Sequence, residues 1–482
     1  MTPAIIIITI LAYFATILAI SWFTGRKADN AGFFSGNRKQ SWYVVAFAMI
    51  GSAMSGVTFV SVPGMVAASG FGYMQMTLGF IAGQLVIAFV LVPLFYKMNL
   101  VSIYGYLENR FGISSYRTGA WFFFISKMLG ASVRLYLVCI ALQLMVFTPL
   151  GVPFYVNVLV TVLVLLAYTY RGGVKAVIWI DFLKTFCMLV SIILCTIFIS
   201  KALGFTFGSM CHAVADSGMS RIFYFDDPDH PQYFFKQFFG GMFTLIAMTG
   251  LDQDMMQRSL SCRNVKDSQK NIITSALLQT VVIFLFLVLG VLLYLFAGTY
   301  RIPEAAGDRL FPAVATSGLL PALCCILFVL GLVSCSYAAG GSALTALTTS
   351  FTVDILGTKG RTETETKTLR QRVHIIMAAC MGLTIIIFSL LNNTSAIDAV
   401  YKLASYTYGP ILGMFAFGIL TRREVRDGCV PWVSIAAPLL CLVLQLNSER
   451  WFGGYQFSYE LLIFNALFTM LGLLACSRKG KA

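Results

Sequence analysis

Thirteen stretches of this 482-residue chain are apolar for long enough to cross a bilayer, and that pattern leaves few folds open to it. They run at about 3–23, 43–64, 72–97, 118–147, 153–170, 176–201, 234–257, 271–298, 318–352, 373–391, 396–420, 430–447 and 457–476, the ninth being long enough for two pieces. Hydrocarbon offers no partner to a peptide group, so each span must satisfy its own N–H and C=O groups as a helix. Only 11% of residues are charged, against about a quarter in an average soluble domain. The expected fold class is an all-α polytopic membrane protein with about 13 transmembrane helices.

An odd number of spans puts the termini on opposite sides, and basic residues decide which side is which. Twenty-four lysines and arginines, among them Arg38, Lys39, Arg110, Arg117, Arg258, Arg263, Lys359 and Arg422, fall on one side. Six fall on the other: Lys201, Arg221, Lys236, Arg301, Arg309 and Arg450. The N-terminus is therefore expected outside and the C-terminus in the cytoplasm, with the acidic loop of Asp226, Asp227 and Asp229 outside. The net charge of +14 follows from topology, and nucleic acid is not an expected partner. The first span has no basic residues before it and reads as a retained helix, not a cleaved signal. Nearly all of the twelve cysteines lie in apolar spans, where cysteine acts as a small hydrophobe, so neither a disulfide framework nor a redox role is expected.

The second span is interrupted. Within GSAMSGVTFVSVPG, Gly51 to Gly64, the hydroxyls of Ser52, Ser55, Thr58 and Ser61 and the ring of Pro63 disturb an otherwise apolar helix. Hydroxyls and freed carbonyls need partners away from lipid, which predicts a broken helix lining a polar cavity; a small-residue packing face is the plainer alternative. The seventh span repeats this character with Gly240, Gly241, Thr244, Thr249 and Gly250. Two interrupted spans, each followed by four more, suggest five-helix units at 43–201 and 234–420. An odd helix count inverts the second unit, as in carriers whose midplane sites are built from discontinuous helices. Residues 1–42 then form an extra N-terminal helix and cytoplasmic loop, 202–233 an extracytoplasmic loop, and 421–482 two C-terminal helices with a basic tail.

Local motifs carry a more specific likeness. LDQDMMQRSLSCR at 251–263, YTYRGGVKAVIWIDF at 168–182 with Val174 as a departure, the stretch at 51–64, and FTVDI at 351–355 together resemble the sodium:solute symporter family. That family includes sodium/glucose, proline, iodide and sialic acid transporters. The resemblance spans about residues 5–425 and implies the LeuT-like fold, a 5+5 inverted repeat with discontinuous first and sixth repeat helices.

Charges inside spans are costly unless paired or solvated, and Lys127, Arg134, Asp181, Lys184 and Lys402 qualify. Lys127 and Arg134, seven apart, share one helix face. Arg134 lies too deep to reach either surface, and its planar fork suits a carboxylate, so a carboxylated solute is favoured over a structural acidic partner. The resemblance implies that Arg134, Ser55, Thr58 and Thr77 bind solute, with Gln75 and Phe243 nearby. It also implies that Asp181 takes part in sodium coordination or coupling, with Ser342 able to share that role as a metal ligand, beside helix carbonyls of Gly51 and Met54. Two hydroxyl positions of the family's principal sodium site fall on Ala338 and Ala339 here. Lys184, one turn beyond Asp181, could pair with it and stand where a cation binds, as in some proton-coupled carriers that are similar in fold.

No HExxH, zinc-type cysteine spacing or P-loop is present, and an enzyme is not expected. The expected activity is sodium-coupled symport of a small organic acid such as a sialic acid by alternating access, in a bacterial inner membrane. The coupling ion is the only cofactor expected. The alternatives are proton-coupled or sodium-independent carriage of a sugar or other solute using Lys184, and more distantly a channel or membrane-embedded enzyme.

Overall fold

A computed structural model describes residues 3–25, 33, 38–100, 102–303, 305–358, 360–391, 396–451, 457 and 459–478. Its helices are α1 (Pro3–Gly25), α2 (Trp42–Ala53), α3 (Gly56–Gly64), α4 (Tyr73–Lys97), α5 (Ile113–Leu142) and α6 (Phe154–Ala202). After the loop come α7 (Phe234–Leu245, prolonged by a π turn at Ile246–Gly250), α8 (Gln253–Ser259), α9 (Val265–Thr299) and α10 (Ala322–Ser350). The series ends with α11 (Glu363–Leu391), α12 (Ala396–Leu420), α13 (Val430–Leu446) and α14 (Leu461–Ala475). Two short strands, β1 (Glu424–Val425) and β2 (Ser477–Arg478), pair antiparallel with Glu424 opposite Arg478.

Among the described residues, nine helices are long and apolar enough to cross a membrane, or eleven if each bent pair counts as one span. Two shorter apolar segments, Phe154–Tyr170 and Leu461–Ala475, lie where further spans are expected. The expected fifth and sixth spans lie on one helical stretch, α6, and the long ninth span is the single helix α10. The side chain of Lys402 lies outside the described residues.

Polarity is arranged inside out relative to a soluble protein. Phe89, Leu163, Leu390, Leu420 and Leu446 are exposed, whereas Asp181, Lys184, Gln253 and Arg258 are buried. That distribution suits a lipid surround, where the apolar exterior costs nothing and polar groups gain partners only within the bundle. The most extensive packing is α6 on α10, α4 on α7, and α12 on α14, with α6 also receiving α1 and α2.

Close approach of helices depends on small residues. A Cβ on Gly51 would lie 2.2 Å from Thr185 Oγ1 and 3.1 Å from the Asp181 carbonyl, so the α2–α6 contact needs glycine. A Cβ on Gly79 would lie 2.1 Å from the Phe238 carbonyl, the same constraint between α4 and α7.

Both interrupted spans are broken. The axes of α2 and α3 differ by 60° and those of α7 and α8 by 72°. Met54 (φ −103°, ψ 123°) and Ser55 (φ −104°, ψ 175°) are extended between the first pair, and Asp252 (φ −100°, ψ 120°) between the second. Beyond the first break Phe59, fully buried, stacks on Phe311 at 5.3 Å and meets Phe286 edge-on at 5.6 Å, which fixes α3 in the core.

Candidate functional site

The two breaks open onto one cavity. It is lined by Met54, Ser55 and Thr58 from the first break, Thr244, Thr249, Asp252 and Asp254 around the second, Lys127 and Arg134 from α5, Ser342 from α10 and Tyr408 from α12. Each break has its own cap. The Thr58 hydroxyl accepts from the Ser55 N–H at 3.3 Å, and the Asp252 carboxylate accepts from the Met255 N–H at 3.2 Å at the start of α8.

A chain of ion pairs crosses the floor of this cavity. Lys127 Nζ lies 3.1 Å from Asp252 and 2.7 Å from Asp254. Arg258 continues the chain, its two terminal nitrogens lying 2.5 Å from Asp254 and 2.6 Å from Asp181. Hydroxyls complete the carboxylates: Tyr408 donates to Asp252, Ser342 to Asp254, and Ser52 to Asp181 at 2.7 Å. Charges this deep persist only when their partners are this well placed, because each is out of reach of bulk water.

Arg258 is the main correction to the expected topology. Its place beyond the seventh span puts it among the cytoplasmic loop cations, but it is 2% exposed and buried in the interior. The break at 251–252 turns α8 by 72° back into the protein and carries the side chain inward. The basic residues left on that side still far outnumber the six opposite. Asp181 is not the sole buried carboxylate here, since Asp252 and Asp254 are buried as well.

Arg134 behaves differently from the other cations of the wall. It is half-buried, faces the cavity, and has no ion pair or hydrogen bond among the described residues. Lys184 is fully buried behind the wall, close to Gly51, and its Nζ has no hydrogen-bond partner among the described residues. Asp181 Oδ1 is likewise unpartnered; the carboxylate is held by Arg258 and Ser52, not by Lys184.

Met54, Ser55, Thr58, Arg134 and Ser342 are thus brought together at the cavity, while Gly51, Asp181 and Lys184 sit immediately behind it. The Gly51 carbonyl accepts the Met54 N–H at 3.2 Å. Ala339 lines the cavity and Ala338 is buried next to it. Thr77 is buried with its hydroxyl on the Tyr73 carbonyl at 3.0 Å and does not line the cavity, which α4 meets through Tyr73 and Phe80 instead. Gln75 holds the 202–233 loop through the Gln232 carbonyl at 2.8 Å, and Thr244 and Leu245 line the wall where Phe243 does not. Asp252, Asp254, Arg258 and Tyr408 were not expected there. The visible signal was two carboxylates and an arginine in LDQDMMQR immediately after Gly250.

Among the described residues no three or more His, Cys, Asp or Glu side chains are grouped to hold a metal. A cation here would draw on carbonyl, hydroxyl and carboxylate oxygens, the donors that a hard cation takes.

With the geometry in place, three comparisons bear on the chain. The profile of the sodium:solute symporter family matches residues 33–434. The sodium/sialic acid symporter NanT of Aliivibrio fischeri is 26% identical over 86% of this chain and 83% of its own length. The sodium/sialic acid symporter SiaT of Proteus mirabilis is 23% identical over 92% and 90%. Human sodium-coupled monocarboxylate transporter 1 is 24% identical over 89% of this chain and 69% of its own. Among solved structures, a Na+-coupled sialic acid symporter in a substrate-bound outward-open state superposes with a TM-score of 0.83 at 17% identity, covering 99% of both chains. Mhp1, a nucleobase-cation-symport-1 family transporter in a closed conformation, gives 0.55 at 13% identity over 93% and 94%. These likenesses place the fold in the LeuT-like class.

Proposed function

Because the chain belongs to the sodium:solute symporter family, we propose that it carries a small carboxylated solute across the membrane together with sodium. The observation that carries this reading is Arg134, a cation in the wall of the cavity that the extended residues Met54 and Ser55 also line, with no acidic partner among the described residues. Its neighbours Lys127 and Arg258 are already paired with Asp181, Asp252 and Asp254. A bidentate pair between Arg134 and a solute carboxylate would give the guanidinium a partner, with Ser55 and Thr58 offering hydroxyls to polar groups of the solute. The related sialic acid and monocarboxylate carriers all act on acids, which supports the same class of solute here.

Alternating access then follows from units 43–201 and 234–420 rocking about the two breaks, with the basic loops in the cytoplasm of a bacterial cell and the membrane as the setting. The family is one of transporters, and a catalytic role is not part of the reading. Sodium would draw on the Gly51 and Met54 carbonyls at the first break, the Asp181 carboxylate behind the wall and the Ser342 hydroxyl at the cavity. The test is counterflow in proteoliposomes: labelled sialic acid and short monocarboxylates should exchange, and accumulate under an imposed sodium gradient. Accumulation of neutral sugars alone would overturn the solute class.

One observation favours a second reading of the energy source. Lys184 Nζ is enclosed beside Gly51 and has no hydrogen-bond partner among the described residues. An ammonium there takes the space and charge of a bound cation, which would make the carrier independent of sodium.

A further inference from the structure

The floor of the cavity repeats the chemistry of its wall one step deeper. Lys127 and Arg134 lie on one face of α5, about 10 Å apart along the axis at 1.5 Å per residue, and both line the cavity. Lys127 is the one nearer the basic loops, because α5 begins at Ile113, just after Arg110. Arg134 is free to take an anion, whereas Lys127 is shared by Asp252 and Asp254.

These two carboxylates flank the start of α8, so Lys127 ties the broken second repeat to α5. Neither acid depends on Lys127 alone. Without it Asp252 keeps Tyr408, and Asp254 keeps Arg258 and Ser342. Lys127 can therefore change partners without leaving a bare buried carboxylate, provided that an incoming anion takes the ammonium in turn. A solute carboxylate moving from Arg134 toward the basic loops meets that requirement.

We propose that Lys127 is a second, transient anion subsite: a carboxylate leaving Arg134 displaces Asp252 and Asp254 from the ammonium, and this exchange unlatches α8 from α5. The proposal rests on the reading of Arg134 as the solute's anchor, but its chemistry is that of any bare carboxylate. Solute release and opening toward the basic loops become one event, because the group that holds the latch shut is the group that the solute needs.

Cys262, three residues beyond α8 and fully buried, is a native reporter of that opening. The experiment follows maleimide labelling of Cys262 by mass spectrometry in the full chain in nanodiscs, with acetate as the carboxylate probe. Acetamide and chloride at matched concentration serve as controls. Acetate alone should accelerate labelling, in wild type and equally in Arg134→Ala. The effect should vanish in Lys127→Gln/Asp252→Asn/Asp254→Asn, which removes the latch without stranding a charge and should label about tenfold faster than wild type with no anion present, a typical size for coupling between sites. Lys127→Arg, which keeps the cation, should label as slowly as wild type; if the triple variant does not fold, this variant and the acetate series on wild type decide. Labelling of wild type that ignores acetate, or a folded triple variant as slow as wild type, would overturn the proposal. Failure of the Arg134 reading would look different: sialic acid would bind Arg134→Ala as well as wild type while the acetate effect on Cys262 stayed.

Discussion

Replacing Arg258 with methionine tests how the buried charges are balanced. The guanidinium joins Asp181 at 2.6 Å to Asp254 at 2.5 Å, and it is 2% exposed. After Arg258→Met, Asp254 still has Lys127 at 2.7 Å and the Ser342 hydroxyl, so it keeps a cation and a donor. Asp181, fully buried, retains only Ser52 at 2.7 Å. The cost should therefore fall mainly on Asp181, and breaking a buried pair from one side costs about 3–5 kcal/mol. Lys184, one turn away, can swing toward Asp181 Oδ1, neither having a hydrogen-bond partner among the described residues, which places the expected loss at about 3 kcal/mol. Adding Asp181→Asn removes the stranded charge, so the double variant should be more stable than Arg258→Met alone. Thermal unfolding of the four proteins of this cycle in one detergent is the assay. Losses that simply add, or an Arg258→Met protein as stable as wild type, would refute the ion-pair chain as described.

Gly51→Ala should destabilise by about 1–3 kcal/mol, because the new methyl meets Thr185 Oγ1 at 2.2 Å with the Asp181 carbonyl behind it, and Thr185→Ala should recover part of the loss in the same melts. Lys184→Gln separates the two energy sources in proteoliposomes given one gradient at a time. Strict sodium dependence with the variant still active supports sodium, whereas uptake driven by protons alone and abolished in the variant supports the lysine. Asp354→Ala strips the shared acceptor from Ser102 (2.9 Å), Tyr116 (2.8 Å) and Ser350 (2.7 Å), so it should lower stability by about 2–4 kcal/mol and leave solute binding unchanged.

The helical framework was legible because lipid imposes a simple rule: apolar runs of sufficient length must be helices. The breaks were legible for a related reason, since Ser52, Ser55 and Thr58 have no business facing hydrocarbon. Arg134 and Asp181 stood out as charges deep in apolar sequence. Arg258 did not, because a charge count along the chain cannot see that a 72° turn at Asp252 folds the next helix inward. Asp252 and Asp254 were hidden by the same turn, and with them the partners of Lys127. Thr77 misled in the opposite direction: its helix does reach the cavity, but through Tyr73 and Phe80, while the Thr77 hydroxyl is spent on its own backbone. Helix direction is written in hydropathy, whereas the rotation of a helix about its axis is set by packing.

The central claim is that Arg134 binds the carboxylate of the solute, and the most direct measurement is equilibrium binding to purified protein, with sodium present, of sialic acid and its methyl ester. Wild type should bind the acid and lose at least about tenfold in affinity for the ester, and Arg134→Ala should lose about 2–3 kcal/mol for the acid with little further loss for the ester. The same test applies to lactate and its amide if sialic acid proves not to be the solute. An Arg134→Ala protein that still prefers acid over ester by the wild-type margin would contradict the account.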